Sequence, residues 1–251
     1  MRRLRALAGL AVVLSSVPLS VLLAPDRSAA SVSGSRFAIA SSARQLIVVS
    51  SPTFDPADYL ASFRSFRRAG PAAPWVQVYP TWQAETGRGH LLSRRREGDG
   101  ATPVGVFSIG PTVYGNYADP GGLHERYHRL VCGDWWDEDR YSSQYNRFVH
   151  VPCGTTPAFA SSSEALWTDY SVYGYLAVID FNVDPTVAGA DAPGSGIFLH
   201  VWENGPTHGC VALPLPDLVK VLRWLDPADH PVIEIGTTAE VNGAGRPQAL
   251  T

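Results

Sequence analysis

The chain is short of lysine. Lys220 is the only one in 251 residues, and the rest of its 20 basic residues are arginines. Acidic residues number 23, so the net charge is −3 and no basic excess is available to grip phosphates. That excludes nucleic-acid binding as the main activity. Beyond residue 23 no apolar run approaches the length of about 20 residues that a membrane-spanning helix needs. The 23 Gly and 20 Pro follow no period, which excludes a collagen-like chain. Charged residues are only 17% of the total while aromatics reach 10%, a composition able to bury a core and not that of a disordered segment. Length and apolar content suit one or two packed domains.

Cysteine is scarce too, with Cys132, Cys153 and Cys210 alone. The compartment decides what three cysteines mean, and the N-terminus speaks to it. Arg2, Arg3 and Arg5 precede an apolar stretch from Ala6 to Leu23 that Pro18 interrupts, and small residues follow at Ser28, Ala29 and Ala30. This is the layout of a secretory signal peptide over residues 1–30. Losing Arg2, Arg3, Arg5, Arg27 and Asp26 would take the net charge from −3 to −6. The expectation is a secreted, extracytoplasmic protein of the cell envelope, with the membrane involved only through the export signal. In an oxidising compartment an odd cysteine count leaves one thiol over. Cys132 and Cys153 are close in sequence and each precedes Gly, so they are the expected disulfide. Cys210 is then the free thiol, either buried and inert or put to use.

Residues 31–44 read as a Ser/Ala-rich linker, 45–236 as one domain and 237–251 as a C-terminal tail. Leu46 to Val49 reads as a buried strand. Asp55, Pro56 and the series Tyr59, Leu60, Phe63, Phe66 predict a helix ending at Gly70, with Arg64, Arg67 and Arg68 on its solvated face. Short β-branched and aromatic runs predict strands beginning at Trp75 and Val104, and at 148–151, 175–181, 197–202 and 232–235. Leu218, Val221, Leu222 and Leu225 predict a helix over 217–225. Strands outnumber helices and do not alternate with them, which argues for a mostly-β fold and against a doubly wound one.

The segment richest in chemistry is Gly194 to Leu213. Its strand carries His200, a Glu203-Asn204-Gly205-Pro206 turn follows, and Thr207-His208-Gly209-Cys210 lead into another apolar run. A turn of this length can bring His200 back against Cys210. A free thiol is mostly protonated at neutral pH, with a pKa of about 8.5, and an imidazole beside it can take the proton. Gly209 permits a tight turn that can aim N–H groups at a developing oxyanion. Metal chemistry has less support. His124 and His128 are four apart, but Pro120, Gly121 and Gly122 place them on a loop with no Glu between them. Cys210, His208 and His200 could serve as ligands, but no metal is expected. The acidic aromatic stretch Trp135 to Asp139 could touch a polymer substrate, but reads foremost as a surface loop that packs its two tryptophans.

Thr207-His208-Gly209-Cys210 after a strand-borne histidine resembles the Ser-x-Gly-Cys signature of L,D-transpeptidase catalytic domains of the YkuD type. Glu97 to Phe107, EGDGATPVGVF, resembles that family's Thr-Pro-x-Gly-x-Phe stretch. Tyr145-Asn146-Arg147, Ser163 to Leu166 and Tyr175 to Asn182 are similar to an actinobacterial branch of it. The resemblance covers roughly residues 45–236. It implies a mostly-β sandwich or barrel that remodels peptidoglycan. Cys210 would attack a donor stem peptide and His200 would act as base and then acid. The N–H groups of His208, Gly209 and Cys210 would hold the oxyanion, and the carbonyl of Val201 would orient His200. Trp202, Thr207 and His208 would line an open cleft, and the stem peptides would be donor and acceptor to a monomer that needs no cofactor. His200 is expected within about 4 Å of the Cys210 sulfur.

Three departures from the family pattern stand out. Thr207 replaces the usual Ser and keeps the hydroxyl. The interval from His200 to Cys210 is short, which is expected to leave the sulfur exposed. Ala212 stands where many members have Arg or Asn, removing a polar contact near the nucleophile. An L,D-carboxypeptidase that resolves the same acyl-enzyme with water, or a non-catalytic wall-binding domain, are the alternatives.

The N-terminal pattern predicts processing next to Ala30. N-terminal sequencing of the exported protein should find a chain beginning close to Ser31, and a cytoplasmic chain retaining Met1 would contradict it.

Overall fold

In the computed structural model, the described residues are 37–241 apart from 54, 56, 57, 160 and 161. The expected signal peptide and most of the expected tail lie outside them. Eight strands among the described residues close a barrel: β1 (Gln45–Ser51), β2 (Leu60–Arg67), β3 (Trp82–Glu85), β4 (Gly105–Gly115), β5 (Leu176–Ile179), β6 (Phe198–Val201), β7 (Val211–Leu213) and β8 (Val232–Thr237). Around the barrel the order is β1, β8, β4, β5, β6, β7, β3, β2 and back to β1. Neighbours are antiparallel except β1 with β8 and β6 with β7. Closure removes the open edges that a sheet of this size would otherwise present.

Period-two alternation sorts each strand's side chains to the two faces of the wall. On β1, Ile47 and Val49 point to the barrel core, where Phe63, Ile179, Leu199, Leu213 and Ile235 meet them. Leu46 and Val48 point the other way and pack with Phe66, Trp75 and Ala43. The helix α1 (Leu215–Trp224) buries Leu218, Val221 and Leu222 against the same barrel core, with Pro216 in its first turn, where a missing N–H leaves no bond unmade.

The helix expected from Asp55 to Gly70 is not formed, because Leu60–Arg67 is strand β2. The spacing of Leu60, Phe63 and Phe66 fits a helix, but both edges of this segment are hydrogen-bonded, to β1 and to β3. Ala61 and Phe63 face the barrel core, while Phe66 covers the outer cluster. Two buried faces on one strand imitate a helical period. Arg68 is correspondingly not a solvated residue. It is buried, its guanidinium lies 4.4 Å over the Trp75 ring, and it donates to the carbonyls of Ala43, Ala40, Ser41 and Pro71. These bonds fasten the segment before Gln45 to the barrel.

A second layer covers the outer face of β5 and β6. It is a three-stranded sheet made of Asp134–Asp137, Arg147–His150 and Glu164–Ala165. The Trp135 to Asp139 stretch is therefore mainly a central strand and not a surface loop. Trp136 is buried edge-on against Phe198 with ring centres 5.0 Å apart. Cys132 and Cys153 are joined, their Cα atoms 5.3 Å apart, and they bracket the first two strands of this layer. Beside them His128 and His150 each hydrogen-bond one oxygen of the buried Asp134, at 2.9 and 2.7 Å.

Closing a loop of this length removes denatured-state entropy worth about 3 kcal/mol. Replacing Cys132 and Cys153 together by Ser should lower the unfolding free energy by up to that amount in urea titrations, with no loss of the barrel's far-ultraviolet signature.

Candidate active site

Residues 199 and 201 of β6 belong to the barrel core, so Phe198 and His200 share the outer face. Strand β7 runs parallel to β6 with Leu199 opposite Val211 and His200 opposite Ala212. Cys210 directly precedes β7, so it falls one pleat from His200 on the adjacent strand. Strands about 4.8 Å apart and a two-residue offset of about 6.6 Å put such residues within side-chain reach. The Cys210 sulfur accepts from the Phe198 N–H at 3.3 Å and donates to the Gly196 carbonyl at 3.3 Å. His200 is not among its hydrogen-bond partners in the described residues. The imidazole instead has Nδ1 at 2.8 Å from the carbonyl of Val201, and its ring lies edge-on to Tyr173, centres 5.8 Å apart. A carbonyl can only accept, so Nδ1 carries the hydrogen of the neutral ring and Nε2 keeps a free lone pair.

The segment returning from β6 to β7 is held along its length. Thr207 N–H donates to the Thr86 carbonyl at 2.9 Å, and Arg88 N–H donates to the Thr207 carbonyl at 2.9 Å. The Thr207 hydroxyl donates to the Cys210 carbonyl at 2.8 Å and accepts from the Gly209 N–H at 3.1 Å. Gly209 has φ +130, and a Cβ there would stand 2.6 Å from the Ala101 carbonyl, so only glycine fits. Glu85 lies beneath the turn. Its carboxyl faces the N–H groups of Glu203, Gly205 and Asn204, and burial raises its pKa to about 7.

A cavity of about 270 Å³ contains Cys210, His200, Thr207 and His208. Three expectations need correction. Trp202 does not line it: it lies just past the end of β6, its backbone N–H donating to the Leu213 carbonyl at 2.8 Å. The sulfur is not exposed: Cys210 is only 7% accessible, because the Glu164–Ala165 side of the outer layer and Tyr173 close over it. The Gly209 N–H, expected to be open to an oxyanion, is donated to the Thr207 hydroxyl. His208 is exposed, with Nε2 accepting from Arg88 at 2.9 Å. His124 and His128 do not come together, since the former pairs with Asp226 and the latter with Asp134. Among the described residues no cluster suited to a metal ion is formed.

The cavity also holds residues whose place in it is not legible from sequence. Glu85, Glu97, Glu138, Glu164, Asp169 and Glu203 all line it, against Arg88 and Arg95. Glu97 accepts from Ser195 at 2.7 Å and from the Tyr145 hydroxyl, and Glu164 accepts from Tyr173. Burial pushes Glu138 well up, with Glu164 adding to it, and burial also raises Glu164. The same two forces act on Cys210. Burial, then the nearby Glu164, raise the Cys210 thiol far above its ordinary range, and burial holds His200 down to about 4. At neutral pH the resting pair is a thiol and a neutral imidazole. Glu97 and Glu164 sit inside the motifs quoted for the resemblance, and that was their only signal. Glu138 had only its place in the acidic aromatic stretch, and Tyr173 had no signal.

A model of the YkuD family, the L,D-transpeptidase catalytic domain, matches residues 74–237. The chain belongs to that family. No curated protein and no solved structure matches it significantly. The mostly-β closed barrel agrees with the family's fold, and the matched span contains both Cys210 and His200. An L,D-transpeptidase catalytic domain acts in cell-wall metabolism on peptidoglycan peptides.

The lowered pKa of His200 has a thermodynamic signature. The unfolded chain takes up its proton near pH 6.5, whereas the folded protein resists until about 4. The folded state therefore loses stability as pH falls through that window, by at most roughly 3 kcal/mol. Glu85 works with the opposite slope, so the comparison must be with a variant. Between pH 6.5 and 4 the stability of the wild type should fall more steeply than that of His200→Gln in denaturant titrations.

Proposed function

We propose that Cys210 is the nucleophile of an extracytoplasmic L,D-transpeptidase that forms an acyl-enzyme with a peptidoglycan stem peptide and passes it to a second stem. The observation that carries this reading is the arrangement across β6 and β7. A free thiol and an imidazole with an unengaged Nε2 share one face and one cavity, beside the tight turn 207–210.

The resting charges set the order of events. A neutral imidazole with a low pKa does not hold a proton in advance, so proton transfer and attack belong together. The Cys210 S–H proton passes to His200 Nε2 as sulfur bonds to the carbonyl carbon of the donor's third residue. The carbonyl π pair becomes the oxyanion, held by the N–H groups of His208 and Cys210. When the oxyanion collapses, the C–N bond breaks and the departing D-alanine amine takes the proton from His200. Burial makes the imidazolium a strong acid and favours that release. The thioester is then attacked by the side-chain amine of the acceptor, which gives up a proton as sulfur leaves and Cys210 recovers its thiol. Exclusion of water from a nearly closed sulfur favours the amine over hydrolysis, which is why transpeptidation is preferred to the carboxypeptidase reading.

Mass analysis after incubation with a tetrapeptide stem should show loss of D-alanine and a cross-linked dimer, and tripeptide alone would indicate the carboxypeptidase. A carbapenem should add its mass once, at Cys210. Cys210→Ala should abolish the adduct, and His200→Ala should slow its formation by roughly a hundredfold. An adduct on Cys210→Ala would refute the assignment of the nucleophile.

A further inference from the structure

The cavity wall carries charge of both signs held against one short segment. Arg95 comes from the loop before Thr102, and its side chain is only 3% exposed. Its Nε and Nη2 both donate to Asp99 Oδ1, at 3.2 and 2.8 Å, and its guanidinium lies 5.2 Å over the Phe181 ring. Its remaining head atom, Nη1, is buried and has no hydrogen-bond partner. That atom lies against Gly194, where a Cβ would meet it at 3.0 Å. Two residues on, a Cβ at Gly196 would stand 2.0 Å from Glu138 Oε1. Gly196 is in turn the residue whose carbonyl accepts from the Cys210 sulfur, and its N–H is fixed at 3.0 Å by Asn146. Glycine at 194 and 196 thus makes room for a cationic head and a carboxyl side by side, next to the nucleophile. Glu164 lies on the carboxyl side of the same cavity.

Arg95 is held along one edge and offers the other. A fixed guanidinium with a spare N–H suits a carboxylate, and paired carboxyl groups suit an ammonium. We propose that Arg95 and Glu138, with Glu164 beside it, form a seat for an α-amino-acid zwitterion, the ligand's carboxylate on Arg95 Nη1 and its ammonium on Glu138. This rests on the reading of Cys210 as the nucleophile of a transpeptidase and says which part of the acceptor lies there. The side-chain end of a diaminopimelate residue carries ammonium and carboxylate on one carbon. A lysine side chain carries the ammonium alone. Ala212 is fully buried on β7 and offers no polar group, so Arg95 supplies the cation next to Cys210 from a different part of the chain.

Binding to full-length Cys210→Ala protein, by titration calorimetry, tests the seat without turnover. The probes are three tripeptide stems, ending in meso-diaminopimelate, in the same residue amidated on its side-chain carboxyl, and in lysine. The first should bind at least about tenfold more tightly than the other two. Adding Arg95→Gln should erase that advantage, and adding Glu138→Gln should weaken all three. Equal affinities for the three stems on the Arg95-containing protein would overturn the proposal, as would binding of none. That comparison needs no substitution at the seat, so a poorly folded variant cannot hide the answer. Acylation of the unsubstituted protein by a tetrapeptide stem is read separately. Selective binding without any acyl-enzyme would leave the seat in place and remove the reading of the nucleophile.

Discussion

The parallel pairing of β6 with β7 sets the separation between His200 and Cys210. Two antiparallel strands could have been joined by a tight turn, but parallel neighbours require the chain to travel back to the starting end. Residues 202–210 make that return without a helix, and they do it by borrowing hydrogen bonds from Thr86 and Arg88. The register then does the rest. With His200 opposite Ala212, the residue before β7 falls beside Phe198, and the Phe198 N–H that would otherwise serve the ladder is given to the Cys210 sulfur. A shift of one residue would turn His200 into the barrel and the site would vanish.

The second determinant is dielectric. Cys210, His200 and Tyr173 are buried by the outer sheet, and each titrates as burial dictates: the thiol and phenol upward, the imidazole downward. The carboxyl groups around them reinforce this, because Glu164 and Glu138 both oppose a thiolate. The structure therefore favours a neutral resting state in which charge arises only as substrate arrives.

How much of this was legible in the sequence depended on whether one residue obeyed one rule. α1 was legible because its apolar residues serve a single face. The disulfide was legible because parity and proximity left one sensible pairing. Cys210 and His200 stand out in the sequence because a short turn separates them and a motif surrounds the cysteine. Strand β2 was misread because Phe63 and Phe66 are buried in two different clusters, and no single-face pattern describes a strand with two covered faces. The sulfur was expected to be exposed because the short loop is visible in the sequence and the covering sheet, contributed from residues 134–165, is not. For the same reason nothing in the sequence ties Glu138 and Arg95 to Cys210: they reach the site through contacts made across about 60 to 115 residues of chain, which only the fold reveals.

Gly209 has a mechanical consequence. Its bare Cα sits on the Ala101 carbonyl, while the Thr102 hydroxyl accepts from the Gly87 N–H at 2.7 Å and donates to the Cys210 carbonyl at 3.3 Å. Three stretches of chain, around residues 87, 101 and 209, are riveted at one point. The sulfur accordingly has no travel of its own. If two stem peptides take turns at Cys210 as proposed, each must then be carried to a stationary anvil, because the backbone beneath the sulfur is already pinned from three sides.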